Sequence, residues 1–201
     1  MFITCLDLEG VLIPEIWIAV AKRMKIPELE ITTRDEPDYD KLMKKRIEIL
    51  NMNNITLNDI QTIIKSMTPL LGAKEFLDWL QEYSEILILT DSYREFAKPM
   101  VKALGNYALF CHNLEINEEG KIVKYNLRLR NMKKITIQKL KELNFVLIAV
   151  GDSYNDIEML KEADFGILFR PPENVKAEYP QFPSIFEYAE LKENIKEILT
   201  S

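Results

Sequence analysis

The sequence opens with a short apolar stretch, residues 2–6, that ends abruptly in Asp7, Glu9 and Gly10. Such a stretch is typical of a buried strand with acidic side chains at its carboxyl end. Residues two apart in an extended segment point to the same side, so we expect Asp7 and Glu9 to face one crevice. Two like charges held this close repel each other unless a cation or a substrate group lies between them. The stretch therefore predicts chemistry at the end of the first strand.

Two later apolar stretches, residues 85–90 and 145–150, end in the same way. The polar side chains at the three strand ends are Asp7 and Glu9, Thr90 and Asp91, and Asp152, Asn155 and Asp156. Helical patterns separate the strands, which predicts an α/β fold with a parallel sheet and helices on both faces. Because ligands bind beyond the carboxyl ends of the strands in such sheets, we expect these side chains to form one site.

The segment after the first strand, residues 14–68, contains helical patterns and no strand pattern. Pro14 suits the first position of one helix. Asp38 is a candidate cap for a second helix. Thr56 resembles the start of a capping box with Asp59 at the beginning of a third helix. The sequence therefore predicts a small all-helical segment at this point.

The predicted domain organisation is a helical cap, residues 14–68, inserted into a core of residues 1–13 and 69–201, with a loop over residues 27–37. The other predicted elements of the core are helices over residues 72–83, 94–104, 132–143, 154–163 and 187–199, strands over 107–111, 113–116, 121–127 and 165–169, and a β-hairpin turn over 117–120. Pro99 predicts a kink in its helix.

Composition and charge exclude several classes of partner. The 26 basic and 32 acidic residues give a net charge of −6, which argues against nucleic acid or an anionic membrane as partner. No apolar run reaches the roughly 18 residues of a transmembrane helix, and the N-terminus lacks the features of a signal peptide. Cys5 and Cys111 fit a reducing compartment, so we expect a cytoplasmic protein. The sequence leaves the oligomeric state open, with a homodimer as one option.

The acidic residue types indicate which cofactor and reaction to expect. Several carboxylates without a cluster of histidine or cysteine favour a hard cation, so we expect Mg²⁺ rather than zinc. A carboxylate can also attack phosphorus and carry the phosphoryl group as an aspartyl phosphate. Transfer then depends on neutralising the phosphoryl oxygens, which a cation, a lysine, a hydroxyl and N–H groups can do. The strand ends therefore favour phosphoryl transfer.

Four motifs, in this order, resemble those of the haloacid dehalogenase (HAD) phosphatase superfamily: residues 7–11, Thr90, Lys133 and residues 151–156. The helical segment after the first motif resembles the cap of the phosphoserine phosphatase branch. Glu9 departs from the usual pattern of that branch, which has Asp at this position.

Three stretches resemble more closely a bifunctional group within that branch, which hydrolyses phosphoserine and also transfers its phosphoryl group to homoserine. They are residues 5–12, 14–19 and 171–175. The resemblance implies a HAD-like Rossmannoid sheet with a helical cap, Mg²⁺ as cofactor, and a phosphorylated amino acid as the small-molecule substrate.

The resemblance also implies catalytic roles. Asp7 would be the nucleophile. Glu9 would protonate the leaving oxygen and then activate water or an acceptor hydroxyl. Lys133 would offset the charge of the phosphate and of Asp7. The implied Mg²⁺ ligands are Asp7, Asp152 and the main-chain carbonyl of Glu9, supported by Asp156 and Asn155.

Besides Lys133, five residues would bind the substrate if the resemblance holds. The Thr90 hydroxyl and the Asp91 N–H would bind the phosphoryl group, with Asn155 in support. Glu15 would pair with the substrate ammonium, and Arg46 would bind its carboxylate through two parallel hydrogen bonds. A pair of opposite charges is the complement that a zwitterion requires.

Several alternatives remain open from the sequence alone. Lys134 competes with Lys133, because both begin the same predicted helix. Arg46 and Glu15 could be ordinary charges on their helices, and we expect His112, the only histidine, to be incidental. The enzyme could act on another small phosphate ester. A protein of another class, a receiver-like phospho-acceptor module, also gathers acids, a hydroxyl and a lysine on a parallel sheet.

Overall fold

The computed structural model describes residues 1–32, 36 and 38–200 of the 201-residue chain. The described residues form one sheet of seven strands: β1 (Phe2–Leu6), β2 (Glu85–Tyr93), β3 (Ala108–Ile116), β4 (Ile122–Asn126), β5 (Val146–Gly151), β6 (Phe165–Phe169) and β7 (Ser184–Ile185). Their order is β4-β3-β2-β1-β5-β6-β7, and neighbours are parallel except β3 with β4. The predicted α/β fold is confirmed.

Helices cover both faces of the sheet. Within the described residues they are α1 (Ile16–Met24), α2 (Tyr39–Met52), α3 (Leu57–Ser66), α4 (Ala73–Leu80), α5 (Arg94–Leu104), α6 (Met132–Glu142), α7 (Ile157–Glu162), α8 (Glu173–Glu178) and α9 (Tyr188–Thr200). Adjacent residues of β1 belong to two different apolar clusters. Cys5 packs in a cluster with Ile137 of α6, and Leu6 in a larger one with Phe76 of α4. Alternation along the strands therefore builds a core on each face.

Capping side chains begin two helices of the segment after β1, as the sequence predicted. The Asp38 carboxylate accepts hydrogen bonds from the N–H groups of Asp40 and Lys41. Thr56 and Asp59 form a capping box at the start of α3. These contacts satisfy N–H groups that have no partner inside the helix.

The described residues of the segment 14–68 contain no strand, in agreement with the sequence. α1 begins at Ile16 rather than at Pro14, because Glu15 takes the cap position. Pro27–Glu30 forms a short 3₁₀ turn within the predicted loop. The rest of that loop prediction involves Thr33, Asp35 and Pro37, which lie outside the described residues.

α3 is attached to the core through a backbone group of α5. Pro99 has no N–H, so the carbonyl of Glu95, four residues earlier, loses its partner within the helix. The Gln61 side-chain amide of α3 donates to that carbonyl at 3.0 Å. α5 runs continuously across Pro99, and the predicted kink stays a prediction. The boundaries of the predicted cap, residues 14–68, also stay a prediction.

β3 is one strand where the sequence predicted two, residues 107–111 and 113–116. Its first half pairs with β2 in parallel, and its second half pairs with β4 in antiparallel orientation. The strand changes its partner at His112. The alternation of residue types along the sequence is therefore interrupted there, although the strand itself continues. The predicted turn over 117–120 joins β3 to β4, with a positive φ of 78° at Gly120.

Two short elements, α8 and β7, were not predicted, because neither is long enough to show a periodic pattern. They follow β6 at the far edge of the sheet. No helix in the described part of the chain is both long enough and apolar enough to cross a membrane.

Candidate active site

Three central strands carry the predicted site residues at their carboxyl ends. β1 lies between β2 and β5, and Leu6 is aligned with Ile88 and with Val150. Parallel strands in this register end at the same edge of the sheet. The acidic and hydroxyl side chains brought together at this edge are Asp7, Thr90, Asp91, Asp152 and Asp156. The structure therefore assembles residues from all three predicted strand ends.

Asp7, Asp152 and Asp156 form an acidic cluster, in which one carboxylate oxygen of each lies within 4.8 Å of the others. Burial and the charge of Asp156 raise the pKa of Asp7 well above its ordinary value, against the opposing charge of Lys133. Burial and Asp156 also raise the pKa of Asp152 to about 7. Three carboxylates that repel one another are a suitable donor set for a hard divalent cation such as Mg²⁺.

Lys133, in the first turn of α6, lies against this cluster. Its buried ammonium nitrogen is close to three carboxylates, at 2.7 Å from Asp156 Oδ1, 3.0 Å from Asp7 Oδ1 and 3.5 Å from Asp91 Oδ2. Burial opposes the charge, but these carboxylates raise the pKa of Lys133 well above its ordinary value. Lys134 instead pairs with Glu158 at 2.9 Å, away from the cluster. The structure thus brings Lys133, and not Lys134, into the site.

Gly10 lets the backbone after β1 pass close to Asp152. Its φ is +80°, a conformation that residues with a side chain rarely adopt. A Cβ atom at this position would lie 2.6 Å from the carboxyl carbon of Asp152. Glycine is therefore required here both by the backbone conformation and by the position of the carboxylate.

The Glu9 carboxylate lies outside the three-acid cluster. Its Oε2 accepts a hydrogen bond from the N–H of Ile16 at 2.9 Å. Burial and the nearby charge of Glu15 raise the pKa of Glu9 to about 7. A pKa near neutrality suits a group that gives and takes a proton. The predicted contact of the Glu9 main-chain carbonyl with Mg²⁺ stays a prediction.

Asp91, next to the buried Thr90, has partners on both carboxylate oxygens. The Asn155 side-chain amide donates to its Oδ2 at 3.0 Å. The Nε2 atom of His112 lies 3.7 Å from its Oδ1. Although burial opposes ionisation, the charge of Lys133 and the donors of His112 and Asn155 hold the pKa of Asp91 below its ordinary value. The structure therefore brings His112, which the sequence predicted to be incidental, to the site.

A pocket of about 580 Å³ lies between the strand ends and the segment 14–68. Arg46 and Glu15 both line it. The Arg46 guanidinium lies 4.5 Å above the ring of Trp17 and donates to the carbonyl of Ile31. Its buried Nε has no hydrogen-bond partner among the described residues. The structure therefore places a buried positive charge at the wall of the pocket.

Tyr39 and Tyr93, which were not among the predicted site residues, also line the pocket. The hydroxyl of Tyr39 in α2 lies 2.7 Å from that of Tyr93 in β2. The Tyr39 hydroxyl also donates to the main-chain carbonyl of Asp91 at 3.4 Å. In the sequence, the only indication that either tyrosine belongs to the site was that Tyr93 follows Asp91 by two residues. This contact connects the helical segment to the edge of the sheet that carries the acids.

The fold and the acidic site together define a hydrolase of the haloacid dehalogenase type. The sequence model of the haloacid dehalogenase-like hydrolase family matches residues 5–164, and the chain belongs to this family. The resemblance drawn from the four motifs is thereby confirmed.

Several proteins that are similar to this chain are named phosphoserine phosphatases. Phosphoserine phosphatase ThrH of Pseudomonas aeruginosa is 50% identical over 192 residues, which cover 96% of this chain and 94% of that protein. A phosphoserine phosphatase of Pseudomonas syringae pv. tomato is 50% identical over 190 residues, 94% of this chain and 80% of that protein. A crystal structure of phosphoserine phosphatase in apo form has a TM-score of 0.76 over 96% of this chain and 97% of that chain. Its 20% identity shows a shared fold.

Proposed function

We propose that this protein hydrolyses O-phosphoserine to serine and phosphate, with Asp7 as the nucleophile. The observation that carries the proposal is the convergence of Asp7, Asp152 and Asp156 with Lys133 beside a pocket. Membership of the HAD-like hydrolase family supports the class of reaction. The two relatives at 50% identity, both named phosphoserine phosphatases, support the substrate.

In the first step, an Asp7 oxygen attacks phosphorus, and the bond from phosphorus to the serine oxygen breaks. Glu9 gives its proton to the departing serine oxygen. Its pKa of about 7 keeps a protonated fraction at neutral pH. Lys133, the Thr90 hydroxyl and the N–H of Asp91 stabilise the charge on the phosphoryl oxygens. The products of this step are serine and a phosphoryl group on Asp7.

Mg²⁺ is the cofactor that fits the acidic cluster. The side chains that would hold it are Asp7, Asp152 and Asp156, together with the main-chain carbonyl of Glu9. When bound, the cation supplies positive charge that neutralises phosphoryl oxygens. Lys133 supplies positive charge next to Asp7 in the protein itself.

In the second step, Glu9 takes a proton from water, the water oxygen attacks phosphorus, and the bond to Asp7 breaks. Free phosphate leaves, and both carboxyl groups return to their starting states. The hydroxyl of homoserine in place of water would give O-phosphohomoserine by the same step. The pocket volume of about 580 Å³ falls within the roughly 300–1,000 Å³ of pockets that hold ligands larger than an amino acid.

Substrate selection belongs to Arg46 and Glu15 in this proposal. The guanidinium of Arg46, a buried positive charge that lines the pocket, supports a role in binding the serine carboxylate. Glu15 lines the same pocket and would pair with the ammonium group. Opposite charges at these two positions complement the amino-acid end of phosphoserine.

A panel of phosphate esters tests the proposal. With Mg²⁺ present, kcat/KM should be higher for phosphoserine than for phosphothreonine, glycerol phosphate or an aryl phosphate. Asp7→Asn should abolish turnover of every ester while circular dichroism shows an unchanged fold. A higher kcat/KM for another ester would instead support a HAD phosphatase for that ester. Stoichiometric phosphorylation without release of phosphate would support a receiver-like module.

Phosphoryl transfer to homoserine needs its own measurement. We expect ³¹P NMR of a reaction containing phosphoserine and homoserine to show O-phosphohomoserine in addition to free phosphate. If free phosphate is the only product, even at homoserine concentrations high enough to saturate any inhibition by homoserine, the protein is restricted to hydrolysis.

The cellular setting is part of the same proposal. The buried, unpaired thiols of Cys5 and Cys111 support a cytoplasmic location. A net charge of −6 supports a small-molecule partner rather than nucleic acid or membrane. Sedimentation equilibrium would distinguish a monomer from a homodimer.

A further inference from the structure

The Asp91 carboxylate is one of the three acids in contact with Lys133, and it lies outside the cluster of Asp7, Asp152 and Asp156. Its partners come from three separate parts of the chain: Lys133 of α6, Asn155 after β5 and His112 of β3. Asp91 also directly follows Thr90, which lines the pocket and binds the phosphoryl group in the proposed function. The orientation of the Asp91 carboxylate therefore affects the positions of the Lys133 ammonium and of the Thr90–Asp91 loop, which both contact the phosphoryl group in the proposed function.

The hydrogen bonds of His112 determine which of its nitrogens carries the proton. Nδ1 accepts a hydrogen bond from the main-chain N–H of Arg128 at 3.2 Å, so this nitrogen presents a lone pair. The neutral imidazole then carries its proton on Nε2, which faces Asp91 Oδ1 across 3.7 Å. That distance is longer than a hydrogen bond, but an N–H dipole still stabilises a negative charge across it. The imidazole is buried, which limits screening of this interaction by water.

We infer that His112 is a positioning residue of the proposed active site: its Nε2–H directs the Asp91 carboxylate toward Lys133 and Asn155. Without this contact, Asp91 is free to turn away from Lys133, and the ammonium is left to Asp7 and Asp156 alone. Lys133 and the Thr90–Asp91 loop would then be displaced from the phosphoryl group. The inference rests on the proposed function, because the groups that His112 positions act only in phosphoryl transfer.

The place of His112 in the fold explains why one imidazole can serve two partners. β3 changes its partner from β2 to β4 at this residue, and His112 is aligned with Tyr93, two residues beyond Asp91. The imidazole thus lies between the end of β2 and the chain that follows β4, where Arg128 donates to it. The hydrogen bond to Nδ1 fixes the orientation of the ring, and Nε2 faces Asp91.

Two substitutions separate these contacts. In His112→Gln the side-chain amide reaches the position of Nε2 and can still donate to Asp91, whereas in His112→Asn the polar atoms reach only the position of Nδ1. If His112 positions Asp91, His112→Gln keeps kcat for phosphoserine close to that of the wild type. His112→Asn lowers kcat by about 10- to 100-fold and leaves KM nearly unchanged, because Arg46 and Glu15 are untouched. Equal losses of kcat in both variants, or a wild-type kcat in His112→Asn, would overturn the inference.

NMR gives a second readout that needs neither Mg²⁺ nor turnover. His112 is the only histidine in the sequence, so untagged protein labelled with ¹⁵N has a single imidazole. We expect the Nε2–H tautomer, and a shift of its proton resonance in Asp91→Asn. The Nδ1–H tautomer, or an unchanged resonance in Asp91→Asn, would contradict the inference. A wild-type protein without activity on phosphoserine would count against the proposed function, while the tautomer would still decide the role of His112.

Discussion

Replacement of Lys133 by methionine removes a buried positive charge and keeps most of the side-chain volume. In the folded protein the ammonium lies within 3.5 Å of Asp7, Asp91 and Asp156, and only 4% of the side chain is exposed. Without it, four neighbouring carboxylates, including Asp152, repel one another with no internal cation. Removal of one partner from a buried ion pair costs about 3–5 kcal/mol, because the remaining charges stay buried and unpaired.

This free energy translates into a measurable change in melting temperature. In a chain of this size about 1 kcal/mol corresponds to roughly 2–4 °C, so Lys133→Met should melt about 6–20 °C below the wild type in a chelating buffer. The variant should still fold at room temperature, since domains have about 5–15 kcal/mol of stability in total. With Mg²⁺ added, kcat should fall by about 10²–10³-fold, the usual effect of removing one group that stabilises a developing oxyanion.

Lys134→Met is the matched control, because Lys134 is the next residue and pairs with Glu158 at the surface. It should change stability by no more than about 0.5 kcal/mol and leave kcat unaltered. Calorimetry and steady-state kinetics on both variants decide the matter. A melting temperature of Lys133→Met within error of that of Lys134→Met would refute the argument from the ion pairs of the buried Lys133 ammonium.

Three further outcomes follow from the same structure. Arg46→Ala should lower kcat/KM for phosphoserine by about 10- to 100-fold but leave that for an aryl phosphate unchanged; equal losses on both substrates would argue against carboxylate recognition. Folding raises the pKa of Glu9 from 4.5 and that of Asp152 from 3.8 to about 7, so the folded state binds more protons and the melting temperature of the metal-free protein should fall as pH rises to about 7. Mg²⁺ should then raise the melting temperature more near pH 7 than at acidic pH. An increase that does not depend on pH would contradict this. Gln61→Ala should cost about 1 kcal/mol by leaving the Glu95 carbonyl unpaired, and less in Pro99→Ala, where a helical N–H can replace the lost donor; chemical denaturation of the two backgrounds would show whether the costs differ.

Much of the site was predictable because it depends on local patterns in the sequence. An apolar run that ends in Asp7, and a later one that ends in Asp152, places both acids at one sheet edge once the strands are parallel. The caps Asp38 and Thr56 were predictable for the same reason, since a cap is formed within four residues of its partner. Each of these features needs only a few neighbouring residues to be recognised.

The parts that were not predictable depend on contacts between distant segments. His112 sits where β3 changes partners, and this change is set by β2 and β4 rather than by the strand itself. The choice between Lys133 and Lys134 is decided by which face of α6 meets the sheet. The approach of Gln61 to the Glu95 carbonyl joins two helices that the sequence presents as independent.

Gly10 and Asp152 lie far apart in the chain but are direct neighbours in the folded protein. Any side chain at position 10 would fill the space that the Asp152 carboxylate occupies. A larger residue at position 10 can therefore be accepted only if the chain around position 152 also changes. A related sequence with a larger residue at the first position should have a shorter side chain, or an altered loop, at the second.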